Sequence, residues 1–313
     1  MDRIATNSAY NAVLTNLMQA EIAQSTAGNQ MSSTEKATDL EGYGTGAESL
    51  TAMQATNTQV TGYLNNSQVV AAKLTTQDTG LNQVASSATS AISAITNAIA
   101  VGNGASLMQQ LQTSFDDAVQ GLNTQFNGEY VFAGGQVNTQ PVSATSLTDL
   151  TAGPPISTLF HNDQRQISTQ VDQNTSIGTG FLADQVGTPL FTALQTIQQY
   201  VQTNGPFGTT LTTAQQSFLT QQLGTLNTVQ TNLNNVVAQN GLAQAEVTNT
   251  QGSLTQQQTM LQGLIGTATQ ADLAQASANL QQAQLSIQAA GQVFQALKSS
   301  SLLNTLSSNG VLG

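Results

Sequence analysis

FNGEYVFAGGQVNTQPV, residues Phe126 to Val142, is the stretch on which the reading of this chain turns. It carries three of the fourteen aromatic residues (nine Phe, five Tyr, no Trp) in a sequence of 313. It also holds the double glycine Gly134-Gly135 and Pro141. The text on both sides is different, built mainly from Gln, Ala, Thr, Asn and Leu. So abrupt a change of composition marks a change of structure.

Toward the C-terminus the helical period fades from Glu129 to about Val186. Ile167, Thr169 and Val171 alternate as the inward positions of a half-buried strand would. VNTQPV, AGPPIS, DQNTSIGTG and VGTP read as turns around short strands, and Pro141, Pro154, Pro155 and Pro189 all fall in or beside this block. Helical text resumes at LFTALQTIQQYV and pauses at Asn204-Gly205-Pro206.

Toward the N-terminus, a seam spaced by threes and fours runs from Leu50 to Ile99. Twelve of its fifteen positions are apolar, the exceptions being Asn57, Ser67 and Asp78. That periodicity predicts a long helix with one buried face. It argues against the disordered chain that the abundance of Gln, Asn, Ser and Thr would otherwise suggest. Gly102-Asn103-Gly104 ends the helix, and Leu107, Leu111, Phe115, Ala118 and Leu122 line a second one. After the middle block, Leu226, Leu233, Val247, Leu254 and Leu261 share one heptad position, with Asn240 as the polar exception. Leu273, Ala276, Leu280, Ala283, Ile287, Ala290, Phe294 and Leu297 form a further unbroken seam. Tyr10, Leu14 and Leu17 form a shorter stripe near the start. The fold class expected is mainly α: a long coiled-coil helical rod formed by N- and C-terminal arms, with a small β-rich domain inserted in the middle.

The flanks of these seams are Gln, Asn, Thr and Ser rather than Glu and Lys, which suits either a compact bundle or helices buried in an assembly, where desolvating charge is costly. Charged residues are 7%, against about 25% in an average domain. The basic residues Arg3, Lys36, Lys73, Arg165 and Lys298 are scattered, which argues against nucleic acid as a partner. No apolar window of the length of a membrane span is expected, and MDRIATNSAYNAVLTNL is amphipathic rather than a cleaved signal peptide. Location stays open at this level between the cytosol and export by another route.

Chemistry finds little purchase. There is no Cys and one His, His161, so thiol and His-rich metal sites are not expected. GYGTGA, Gly42 to Ala47, follows no strand and reads as a joint between helices rather than a phosphate loop. His161-Asn162-Asp163 reads as a turn, Asp116-Asp117 as a solvated helix face, and Asp39 with Glu41 as too few carboxylates for calcium. No enzyme activity and no cofactor are expected.

With its order of segments, the opening stretch resembles a signature of the flagellin superfamily, most closely its branch of hook-associated proteins at the hook–filament junction. Asn127-Gly128 is adjacent here, a small departure from that signature. RIATNSAYNAVLTNL resembles the N-terminal assembly helix. QMSSTEKATDLEGYG resembles the segment that follows it, with Glu35 where Gly is usual. FHNDQRQISTQVDQNTSIGTG resembles the strand pair, with Asn162 for Gly, and residues 269–306 resemble the C-terminal helix. The resemblance implies an assembly helix at 1–40, helical arms at 41–128 and 187–265, a β-rich outer domain at 129–186 and a second assembly helix at 266–313. It implies an assembly seam of Tyr10, Leu14, Leu17, Leu273, Leu280, Ile287, Phe294 and Leu297. The helix-to-β boundary would lie at Phe126, Asn127, Gly128, Tyr130, Phe132, Gly134 and Gly135. It further implies a structural adaptor joining hook to filament, or alternatively a filament flagellin, or a flagellin-like surface protein binding polysaccharide. The implied partners are copies of itself in a ring or helical layer, another hook-associated protein, flagellin and an export chaperone. The implied location is the extracellular flagellum, reached by type III export without a cleaved signal peptide.

Overall fold

A computed structural model describes residues 2–153 and 155–309. The chain is mainly α, with a short stretch of β structure in the middle. Helix α1 spans Asp2–Ser33 and α2 spans Ala47–Val101, with a short 3-10 turn at Glu41–Gly46 before α2. Helix α3 (Leu107–Leu122) leads into two short antiparallel strands, β1 (Gln125–Phe126) and β2 (Glu129–Tyr130). A second hairpin pairs β3 (Ser168–Gln170) with β4 (Ser176–Gly178). Helices α4 (Ala183–Asn204), α5 (Thr213–Thr269) and α6 (Leu273–Asn309) complete the chain.

Two compact units result, one of Met1–Thr58 with Gln258–Gly313 and one of Gln59–Gln257. In the first unit α1 and α6 run antiparallel. The Tyr10 ring meets the Phe294 ring edge-on at 5.1 Å near one end of the pair. A backbone bridge joins Glu35 to Gln270 at the other, with Lys36 N–H donating to the Thr269 carbonyl at 2.7 Å and Ala271 N–H to that of Thr34 at 2.9 Å.

In the second unit, one core is shared by α2, α3, α4 and α5. Leu81, Ile95, Leu111, Phe115, Leu190 and Phe191 lie in it. Phe115 and Phe160 both pack on Phe191, at 5.0 and 5.4 Å between ring centres. None of the fifteen seam positions between Leu50 and Ile99 is exposed. Past Val70 a second stripe on α2, including Val84, Ala91, Ala94 and Ala98, is buried as well. The middle segment belongs to the same core, through Val131, Phe132, Val142, Leu147, Leu150, Ile156 and Phe160. The β3–β4 hairpin lies on a smaller cluster, where Val171 and Ile177 meet Val70 and Leu74 of α2 and Val247 of α5.

Two expectations need correcting. VGTP, Val186 to Pro189, is not a turn: it lies inside α4, where Val186 and Gly187 are buried. The start of α4 has no local side-chain cap. It is capped from a distance, by Asn162, whose Oδ1 accepts the Asp184 N–H at 3.1 Å, so the usual local start signal is missing. The helical stretch Glu41–Val101 also contains a window long and apolar enough, by composition, to cross a membrane. Of that window 44% is buried inside the chain.

Candidate functional site

The helix-to-strand boundary is built residue by residue. Gln125 pairs with Tyr130 and Phe126 with Glu129, leaving Asn127 and Gly128 as a two-residue turn. Both have positive φ, 52° and 84°, the combination a tight right-twisting hairpin needs and Asn-Gly supplies. Phe126 and Tyr130 are half-buried and Phe132 is fully buried. Space for the Phe132 ring exists because α2 and α3 cross at glycines: a Cβ on Gly80 would stand 2.7 Å from the Phe132 ring and from the Gly121 carbonyl.

Gly134 and Gly135 wrap the carboxylate of Asp163, which lies 28 residues beyond Gly135. Gly135 N–H donates to Asp163 Oδ1 at 2.7 Å and Arg165 N–H to the same oxygen at 3.0 Å. These two backbone donors, with the Arg165 charge as a smaller contribution, hold the Asp163 carboxyl below its ordinary pKa. Gly134 has φ of 66°, and a Cβ there would collide with Asp163 Oδ1.

Between β2 and α4 the backbone is mostly irregular, and its polar groups need partners. Side-chain amides from the helices provide many of them. Asn123, the residue after α3, both donates to the Val142 carbonyl and accepts from the Val142 N–H, each at 2.9 Å. Gln112 accepts the Leu147 N–H at 2.9 Å, and Gln195 of α4 donates to the Leu150 carbonyl. The buried Gln77 of α2 donates to the carbonyls of Val131 and Thr179. Sequence reasoning missed these roles. The available signal was weak: amides placed on otherwise apolar helix faces.

On the terminal pair, the positions of α1 that are not exposed, among the side chains described, are Ala9, Tyr10, Val13, Leu17, Ala20, Gln24, Ala27, Gly28 and Gln30. The inward stripe thus passes through Val13, whereas Leu14 stands 51% exposed, in line with the exposed Met18 and Ile22. On α6, Ala276 and Ala283 are buried, while Leu280, Ile287 and Leu297 are half-buried. Leu273 and Phe294 are exposed, although Phe294 keeps its ring on Tyr10. Alongside this pair runs an open groove of about 960 Å³, floored by alanines such as Ala20, Ala23, Ala27, Ala283 and Ala290 and edged by amides such as Gln19 and Gln282.

The titratable groups do not converge. His161 Nε2 lies 2.9 Å from Ser143 Oγ, while the neighbouring Asp163 is engaged by Gly135 and Arg165. Asp116 accepts from Gln112 at 2.7 Å and Asp39 from the Gly42 N–H at 2.9 Å. Glu41 opens the 3-10 turn that contains the glycine-rich joint. Among the described residues, no three of His, Asp and Glu gather as a metal site would require.

Residues 4–137 match the family described as the bacterial flagellin N-terminal helical region. No curated protein matches the sequence. Among solved structures, the fold is similar to that of a flagellar hook-associated protein from Vibrio parahaemolyticus (TM-score 0.59, 14% identity, covering 71% of this chain and 97% of that one). It is also similar to FlgL of Bacillus cereus (TM-score 0.53, 15% identity, covering 69% of this chain and 97% of that one). At this identity the likeness is one of fold.

Proposed function

We propose that this chain is a flagellin-like structural protein of the bacterial flagellum and that its place is the junction between hook and filament. One observation carries the reading. The terminal helix pair spends its alanine-rich face on internal contact and leaves larger apolar side chains uncovered, in a row at Leu14, Met18 and Ile22 of α1 and singly at Leu285 and Val293 of α6. These residues are between 48% and 66% exposed. Apolar positions repeated along one helix face and left open to water suit packing against neighbouring subunits. The Gln- and Asn-rich flanks allow close packing with little charge to desolvate. The fold likeness to hook-associated proteins supports the same place.

On this reading the partners are copies of the chain itself in one layer, a second hook-associated protein on the hook side and flagellin on the filament side. An export chaperone holds the chain before export by the flagellar type III apparatus. The residues proposed for the assembly seam are Leu14, Leu17, Leu273, Leu280, Ile287 and Leu297, with Tyr10 and Phe294 closing its end.

The test is electron microscopy of a deletion strain with a complemented control. The expected result is intact hooks, no filaments, and flagellin monomer in the medium. Immunogold labelling of the complemented strain should mark the hook tip alone. Labelling along the whole filament would replace the junction reading with that of a filament subunit.

A further inference from the structure

We infer that Gln77 is a latch that holds both ends of the inserted segment, residues 132–178, against α2. Gln77 sits in the interior of α2, one turn before the Gly80–Gly121 crossing, and is fully buried. Its side-chain NH2 has two hydrogens and uses both. One goes to the Val131 carbonyl at 3.1 Å and the other to the Thr179 carbonyl. Those residues are 48 apart in sequence, one just before the segment and one just after it. The two ends are also tied to each other, since Ala183 N–H donates to the Phe132 carbonyl at 3.0 Å. A single amide thus closes a loop that would otherwise be held at its ends by backbone contacts and the Phe132 ring.

The other half of the same amide argues that the donors are what matter. Gln77 Oε1 is buried and finds no partner among the described residues. A buried acceptor without a donor destabilises the fold, and an apolar side chain of similar volume would avoid that penalty. Core packing alone therefore does not account for glutamine at this position; the paired donors do. The middle of the segment has its own ties, to Gln112, Asn123 and Gln195. Release of Gln77 accordingly frees the ends, and leaves residues 142–150 fixed to α3 and α4 and the β3–β4 hairpin fixed by Val171 and Ile177 on Val70, Leu74 and Val247 and by Ser67 Oγ, which donates to the Val171 carbonyl at 3.3 Å. This is a local opening of the kind that hydrogen exchange resolves.

The experiment is hydrogen exchange followed by mass spectrometry on the full chain, comparing the native protein with Gln77→Met and Gln77→Glu. In Gln77→Met, protection over residues 129–135 and 179–183 should fall about 10-fold or more, the scale set by loss of buried hydrogen bonds, while the β3–β4 hairpin, packed on Val70, Leu74 and Val247, keeps its own. Peptides from α3 and α5 should keep their protection, and the far-ultraviolet circular dichroism should not change. Gln77→Glu should lose at least as much protection at alkaline pH, once its carboxyl, whose pKa burial raises, is ionised and faces two carbonyl oxygens. It should regain part of it below pH 5, where the protonated carboxyl again offers one O–H donor. Protection factors, corrected for intrinsic exchange at each pH, are the quantity to compare. Unchanged protection in Gln77→Met would overturn the latch. So would an equal loss across α3 and α5, which would make Gln77 a general core residue, or the absence of any recovery in Gln77→Glu at low pH.

Discussion

Phe132 and Asp163 show how much of the boundary rests on single side chains. Phe132 is fully buried where two helices cross at glycine. Phe132→Ala leaves a ring-sized void that crossing helices cannot close, and should cost about 3–5 kcal/mol. Urea unfolding of the purified chain should show this as a lower midpoint with an unchanged slope. Asp163 and Asp149 are held below the ordinary carboxyl pKa by backbone donors, Gly135 and Arg165 for the first, Thr145 and Ser146 for the second. Each binds a proton less readily in the folded chain than in the unfolded one. The stability they contribute is therefore fully present above about pH 4 and is lost as pH falls through their lowered folded values. An acid titration of Asp163→Asn should fall less steeply below pH 4 than that of the native chain. Asn127-Gly128 was readable locally as a turn-forming pair. The need for glycine at 134 was not, because the carboxylate that fills the space of its Cβ comes from Asp163, far along the chain.

Among the elements, α2 and α5 follow their heptad spacing closely. Leu226, Leu233, Val247, Leu254 and Leu261 are all buried, and so is Asn240. Asn240 is tolerated because its Nδ2 donates to the Leu74 carbonyl of α2 at 3.0 Å and reaches Asp78 Oδ1 at 3.3 Å. Such a bond defines the pairing of two otherwise uniform seams. The glycines of α5 are a different matter. A Cβ at Gly224, Gly241 or Gly252 would touch nothing within 4 Å, and none of the three has positive φ. Replacing all three by alanine should stabilise the chain by about 2–3 kcal/mol, near the sum of three helix-interior increments. A thermal melt followed at 222 nm checks this; an unchanged or lower Tm would mean that the helix is not limited by its glycines. The start of α4 was illegible for a reason of the opposite kind. Its cap, Asn162, lies 22 residues from Asp184, so the residues beside the helix carry no trace of it.

At the scale of the molecule, the two units differ in what holds them. Both hydrophobic clusters lie wholly within Gln59–Gln257. In the other unit, the buried apolar residues among those described are mostly alanines, such as Ala20, Ala27, Ala276 and Ala283, with Leu50 and Leu261 as the larger ones. Alanine burial excludes little apolar surface from water. A fragment of residues 59–257 should therefore fold by itself, with a Tm within a few degrees of the main transition of the whole chain. Amides of α1 and α6 in the dilute full-length protein should exchange well before those of α3 and α4. A fragment that stays unfolded would show that the terminal unit is needed to hold the rest.

The amino-acid sequence by itself determined that the chain is helical, where the long seams run and where the middle segment departs from them, because periodicity and turn chemistry act between near neighbours. Only the tertiary structure decided that this segment shares the helices' core, that amides from α2, α3 and α4 satisfy its irregular backbone, and that α1 turns Val13 inward and leaves Leu14 to solvent. Those outcomes depend on partners tens or hundreds of residues away, and hydrogen bonds and packing at such separations leave no local pattern in the sequence.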